Sequence, residues 1–225
     1  MAGYHNNLYK FDKSELFFVH IPKTGGTSIA EMCDMISVCG FNIGKNYRGH
    51  YPVSLIRNPE EYRYITSIRD PIQRVWSYYN MVSGIPGYPH YEFTSNLELF
   101  MENCWEVRNM MTKYLTGYIC DELSPHLIDY GDNTLLPKNS VEIAIKNLSN
   151  FYFVFDFDNL EESNIEFINK IEVDYKDKSH VGELLNSKFP HERRSRRYNL
   201  PNPKEIEIIE RYNRMDILLY NHWSS

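Results

Sequence analysis

A chain of 225 residues is long enough for one substantial core, whereas a second independent domain would leave each half small, so a single domain over 1–225 is expected. Its 30 Asp+Glu against 24 Lys+Arg give a formal net charge of -6, which disfavours a general nucleic-acid binder but leaves room for a local basic pocket. No apolar run approaches the roughly 20 residues that span a bilayer. The polar start Met1 to Lys13 also lacks the apolar core of a secretion signal, which points to a soluble, cytoplasmic chain. The cysteines Cys33, Cys39, Cys104 and Cys120 form no CxxC pair and have no histidine at ligand spacing, a pattern of free buried thiols rather than of a zinc site.

In chain order, Glu15 to Ile21 is a nearly continuous apolar run ending at Pro22, as expected of a strand covered on both faces in a parallel sheet. From Ser28 the spacing of Ile29, Met32, Cys33 and Ile36 predicts a helix. A second strand is expected near Tyr64 to Ile68. Asp70 as N-cap and Pro71 at the first helical position then start a helix with an apolar stripe of Ile72, Val75, Trp76 and Tyr79. The Tyr-, Gly- and Pro-rich middle, Ser83 to Gly131, has helical patterns at Leu97 to Glu106 and Val107 to Leu115 and reads as a lid or side wall. A helix at Ser140 to Leu148 leads into a strand at Phe151 to Phe155, and Asn202-Pro203 opens a long terminal helix reaching about Tyr220. This alternation indicates an α/β layer fold with a mostly parallel central sheet flanked by helices.

Strand, turn and helix thus occur twice, and both turns carry chemistry. In Pro22-Lys23-Thr24-Gly25-Gly26-Thr27-Ser28 the loop between strand and helix aims backbone N–H groups and the positive end of a helix dipole at one point. Gly25 and Gly26 allow close backbone approach, Thr27 and Ser28 add hydroxyls, and Lys23 adds a full charge. The lysine precedes the glycines, so the loop departs from the G-x-x-x-x-G-K-[ST] spelling of ATPases and GTPases. In Arg69-Asp70-Pro71-Ile72-Gln73-Arg74-Val75-Trp76-Ser77, Arg69 stands where a parallel strand ends, the edge at which ligands of open α/β sheets collect. Ser77 follows two turns into the helix, on the same face as Arg74. The pair of motifs suggests two anion sites for one nucleotide. The basic run Arg193-Arg194-Ser195-Arg196-Arg197, in company with these motifs, gives Arg194 and Ser195 a share in anion binding.

PKTGGTS after an apolar strand, with RDPxxRxxSxY downstream, resembles the sulfotransferases that use 3′-phosphoadenosine 5′-phosphosulfate (PAPS), most closely the branch of the heparan sulfate 2-O type. The stretch Arg108 to Gly117 is similar to that family's N-x-Q-T-R-Y-L-x-G, with Met111 and Lys113 where the family has Gln and Arg. Ile209 to Tyr220 is similar to its N-x-x-D-x-x-L-Y helix. The resemblance implies a phosphate-loop-like sulfotransferase fold with PAPS as sulfuryl donor and a hydroxyl acceptor, by this branch a saccharide. It implies that Lys23, Thr24, Gly25, Gly26, Thr27 and Ser28 hold the 5′-phosphosulfate while Arg69 and Ser77 hold the 3′-phosphate.

Sulfuryl transfer needs a group to take the acceptor proton and one to stabilise the leaving phosphate oxygen. Lys23 suits the second duty. His50, in Tyr47-Arg48-Gly49-His50, falls between the two motifs and resembles the family's G-H base, while Glu60 and Glu61 are the carboxylates that could serve instead. His20 is expected to be a hydrogen-bonded core histidine, and His90, His126, His180, His191 and His222 offer no constellation. The scheme requires no metal. The alternatives are a phosphate-loop nucleotide kinase or NTPase, and a non-catalytic nucleotide-binding module of the same fold.

Overall fold

The computed structural model describes residues 16–38, 41, 43–44, 62–117, 136–174 and 199–224. They gather into two units. One holds the described residues through Ile68 together with those from Asn150 to Asp174, and the other holds Arg69 to Ser149 and the residues from Asn199 on.

The first unit is built on β1 (Leu16–Val19), β2 (Ile43–Gly44), β3 (Arg63–Ile68) and β4 (Phe153–Asp156), all parallel, in the order β2-β1-β3-β4. β1 lies inside the sheet, which explains its unbroken apolar run: all four of its side chains are buried. Leu16 and Phe18 join a core with Ile29, Met32 and Ile36 of α1 (Gly26–Val38) and Phe167, Ile168 and Ile171 of α6 (Leu160–Asp174). On the opposite face Phe17 and Val19 pack with Tyr62. The Thr66 hydroxyl donates to the Val19 carbonyl at 2.8 Å, fastening β3 to β1 beside their paired register.

The second unit is helical among the described residues: α2 (Pro71–Ser83), α3 (Leu97–Asn103), α4 (Met110–Thr116), α5 (Ser140–Ser149), α7 (Pro203–Tyr212) and α8 (Arg214–Trp223), with 3-10 turns at Tyr91–Phe93 and Trp105–Val107. Asp70 caps α2 as the sequence predicts, its carboxylate accepting from the Gln73 N–H at 2.8 Å with Pro71 in the first turn. Asn202 and Glu205 close a reciprocal capping box at the head of α7. The stretch from Leu97 to Val107 carries core rather than cover, since Leu97, Phe100, Met101, Cys104 and Val107 pack with Val75, Val82, Ile208 and Ile209. The terminal helix is two helices that meet at Asn213, whose φ of -128° leaves the helical range.

Among the described residues no helix is long and apolar enough to cross a membrane.

Candidate functional site

The strand order makes β1 the point from which the chain departs in both directions. α1 leads from β1 to β2 on one side, and β3 flanks β1 on the other, so the carboxyl ends of β1 and β3 form a topological switch point, where ligands of open parallel sheets bind. The segment at the end of β1 is the loop from His20 to Gly25.

That loop is wound tightly. Lys23 has φ 68° and Gly25 φ 86°, two left-handed residues flanking Thr24. Left-handed backbone costs a residue with a side chain about 1–2 kcal/mol, which Gly25 avoids and Lys23 bears. Alternation of this kind turns successive N–H groups inward into an anion-binding concavity. α1 begins directly after it, its first ladder bond running from the Ile29 N–H to the Gly25 carbonyl at 3.2 Å. The N–H groups of Gly26, Thr27 and Ser28 therefore have no intrahelical acceptor, and no acidic residue lies in that first turn. Lys23 and Ser28 are half-buried and Thr27 is exposed.

The two glycines are required by the protein itself. A Cβ on Gly26 would fall within the His20 ring, and one on Gly25 would collide with the ring of Phe157, which follows β4. His20 is half-buried rather than a core histidine, stacked on Phe18 with ring centroids 5.5 Å apart and planes 16° from parallel. The loop is thus clamped by two rings. The Thr24 hydroxyl is turned inward: it is fully buried, donates to the Ile21 carbonyl at 2.8 Å and lies 2.7 Å from the Ser67 hydroxyl on β3. Thr24 can therefore offer a ligand its backbone, while the hydroxyls of Thr27 and Ser28 stand at the head of α1. Phe157 and Ser67 support the loop without a local sequence signal, because each reaches it only through the sheet.

In the second motif Arg69 follows β3 and is 9% exposed, and Ser77, on α2, is 5% exposed. Arg74 on the same face is completely buried. Its guanidinium donates to the Val107 carbonyl at 2.7 Å and to Asn213 Oδ1 at 3.3 Å, and pairs with Asp216 at 3.5 Å. Burial lowers its pKa from the ordinary value and Asp216 opposes that shift. Arg74 is thereby fixed in the core of its unit.

The two later motifs meet in the same network. Asn109, in a left-handed conformation before α4, accepts on Oδ1 from the Met215 and Asp216 N–H groups of α8 at 3.0 and 3.3 Å. Asp216 accepts in return from the Met111 and Thr112 N–H groups of α4 at 3.1 and 2.8 Å, and from the Thr112 hydroxyl at 2.9 Å. Asn213 Oδ1 accepts from the Asn109 N–H at 2.9 Å. Each helix caps the other. Met111 is fully buried, and the Lys113 ammonium donates to the Trp105 carbonyl at 2.8 Å, so both side chains face the protein interior.

Of the other candidates, His50, Glu60, Glu61, Arg194 and Ser195 lie outside the described residues, as do Cys39 and Cys120. Cys33 and Cys104 are free and buried, and burial raises both thiol pKa values, reinforced by Asp34 and Glu106 respectively. His90, expected to have no constellation, does have one: it meets Glu106 and Cys104 in the second unit. Burial would raise the Glu106 pKa, but the hydrogen bond and charge of His90, with Cys104 and Lys113, hold it below its ordinary value.

Compared with known proteins, the chain matches the model of a family described as "Sulfotransferase family" over residues 6–222, which spans both units. No curated protein matches it.

Proposed function

The chain belongs to the sulfotransferase family, and from that premise we propose that it moves a sulfuryl group from PAPS to a hydroxyl of a carbohydrate. The observation that carries this reading is the loop from Lys23 to Ser28. Its left-handed turns and the first turn of α1, which carries no acidic residue, suit a terminal phosphosulfate better than they suit any neutral group.

The acceptor oxygen attacks sulfur in line with the bridging oxygen of the donor, so negative charge grows on the departing phosphate oxygen. Lys23 and the loop N–H groups supply positive field there, with no metal needed for that step. Arg69 and Ser77 hold the 3′-phosphate, with Arg194 and Ser195 assisting from the basic run. His50 takes the acceptor proton, a duty for which an imidazole with a pKa near ~6.5 is suited at neutral pH.

Calorimetry tests the nucleotide directly. The chain is expected to bind 3′-phosphoadenosine 5′-phosphate at least tenfold more tightly than AMP, and Arg69→Ala is expected to abolish that preference while leaving AMP binding unchanged. ATP with Mg²⁺ binding as tightly as the bisphosphate would move the chain to the kinase reading. For the base, His50→Ala is expected to keep bisphosphate affinity and lose ~10²–10⁴-fold in turnover. The wild-type rate should rise with pH through the imidazole pKa as the neutral form accumulates. Retained turnover in folded His50→Ala would pass the role to Glu60 or Glu61.

A further inference from the structure

We propose that His90 Nε2, Cys104 Sγ and a Glu106 carboxylate oxygen form a zinc site in the helical unit, with water as the fourth ligand. No residue of this cluster belongs to the loop after β1 or to the Arg69–Ser77 motif.

The three side chains come from adjoining turns. His90 precedes the 3-10 turn Tyr91–Phe93, Cys104 stands between α3 and the next 3-10 turn, and Glu106 lies within that turn. His90 Nε2 is 3.1 Å from Glu106 Oε1 and 2.9 Å from Oε2, and Cys104 Sγ is 3.2 Å from Oε2. All three ligand atoms lie within 4.8 Å of one another. Zinc at its usual bond lengths of about 2.0–2.3 Å places tetrahedral ligand atoms roughly 3.3–3.6 Å apart, so the two contacts to Glu106 must open slightly, while His90 Nε2 and Cys104 Sγ lie within 4.8 Å of each other. The three donors are therefore gathered in one place before any metal arrives.

The chemistry of the set selects the ion. A thiolate with an imidazole is a borderline-soft pair that suits Zn²⁺, and it disfavours Mg²⁺ and Ca²⁺, which take oxygen ligands. On binding, the sulfur–proton bond of Cys104 breaks, the proton leaves to solvent and a zinc–sulfur bond forms. His90 Nε2, which donates its proton to the Glu106 carboxylate in the metal-free chain, gives that proton to solvent as well and ligates through the lone pair left behind, and Glu106 supplies one carboxylate oxygen. Thiolate, carboxylate and Zn²⁺ then sum to zero charge, which suits a place where Cys104 is completely buried and the side chains of His90 and Glu106 are 21% and 17% exposed. The ammonium of Lys113, which draws on the same carboxylate, is the cation that the metal must outcompete. The ion would join the His90 turn to the end of α3, a cross-link between segments 14 residues apart at their first contact (90 to 104).

The test uses the full chain, stripped with chelator under reducing conditions and then titrated with ZnCl₂ and, separately, CoCl₂. About one Zn²⁺ per chain is expected to remain after gel filtration, with a higher midpoint of thermal unfolding than the stripped chain. Cobalt should give the intense visible bands of a tetrahedral ion and an ultraviolet thiolate-to-cobalt charge-transfer band. Cys104→Ser should lose the charge-transfer band. Glu106→Gln, which keeps the shape and a hydrogen-bonding oxygen, should weaken zinc at least tenfold while far-ultraviolet circular dichroism stays native. A chain that binds neither ion, a cobalt spectrum that is octahedral and without the thiolate band, or a band that survives Cys104→Ser would overturn the site. If Cys104→Ser does not fold, His90→Gln is read in its place, and unchanged zinc affinity in both His90→Gln and Glu106→Gln would overturn it.

Discussion

The head of α1 and the heads of α4 and α8 face the same problem and resolve it in opposite ways. Every helix begins with N–H groups that lack an intrahelical acceptor. At α4 and α8 they are taken across the joint: Asn109, just before α4, serves α8, and Asp216 on α8 serves α4. At α1 the sequence Gly26-Thr27-Ser28 places no carboxylate in the first turn, and the chain before it winds through two left-handed residues. The lesson is that one motif can close a helix head with a carboxylate while another places none there. The resemblance runs through both regions, yet the carboxylate that makes the second a closed joint is what the first lacks.

Breaking the joint should have the largest effect. Asp216→Ala removes the acceptor for two helix N–H groups and leaves the fully buried Arg74 guanidinium without its carboxylate. Removing one partner of a buried pair costs about 3–5 kcal/mol, so the urea midpoint should fall steeply. Arg74→Met in the Asp216→Ala background should recover part of that loss, because the uncompensated charge has gone. A loss below ~1 kcal/mol would mean that the capping network is dispensable.

Opening or closing the cradle should act on chemistry first. Lys23→Ala is expected to lose roughly 10²–10³ in turnover under saturating donor, the usual scale for one preorganised group at a developing charge. Its stability should hardly change. Lys23→Gly should lose the same turnover yet unfold at higher denaturant than Lys23→Ala, since glycine carries no left-handed cost at φ 68°. Equal stability of the two variants would show that the strain attributed to Lys23 is absent.

The glycines come next. Gly26→Ala drives a methyl group into the His20 ring and should cost about 1–3 kcal/mol, the range for overpacking a filled site. His20→Ala in the same chain should relieve most of it, so the two changes should couple strongly in a double-mutant cycle. Additive effects would remove His20 from its place against the loop.

The sequence was most legible where its signals are local. The apolar run of β1, the periodicity of α1, the Asp70 cap and the Asn202-Pro203 start each lie within a few residues of the structure they determine. What escaped depends on distance. Asn213 splits the terminal helix because its side chain serves Asn109, 104 residues away, and Arg74 enters the core because Asp216 lies 142 residues further on. α6 has no clear periodic signal, because its exposed Glu161, Glu162 and Glu166 dilute a buried stripe of Phe167, Ile168 and Ile171. β2 has two residues, too few for any period to register. In the loop, the phosphate-binding spelling was visible, but the reason for its glycines was not, because His20 and Phe157 fill the space only after the sheet has formed. The His90 cluster has no spacing signature, because its histidine stands 14 residues before Cys104 and its carboxylate two after, so only the packed turns unite them.

The finest distinction in the cradle lies between neighbouring threonines of opposite orientation. Thr24 is completely buried, with its hydroxyl engaged by Ile21 and Ser67, whereas Thr27 is exposed at the head of α1. Valine has the shape of threonine without the hydroxyl, so the substitution removes the oxygen and little else. Thr24→Val should cost about 1–3 kcal/mol of stability, because Ser67 loses a buried partner, while the folded fraction binds the bisphosphate almost as before. Thr27→Val should leave stability within ~0.5 kcal/mol and weaken the bisphosphate severalfold, through the loss of one hydroxyl donor to its 5′-phosphate. Denaturation and calorimetry on the two variants read these effects separately. If Thr24→Val lost affinity and Thr27→Val lost stability, the inner and outer faces of the loop would have to be exchanged.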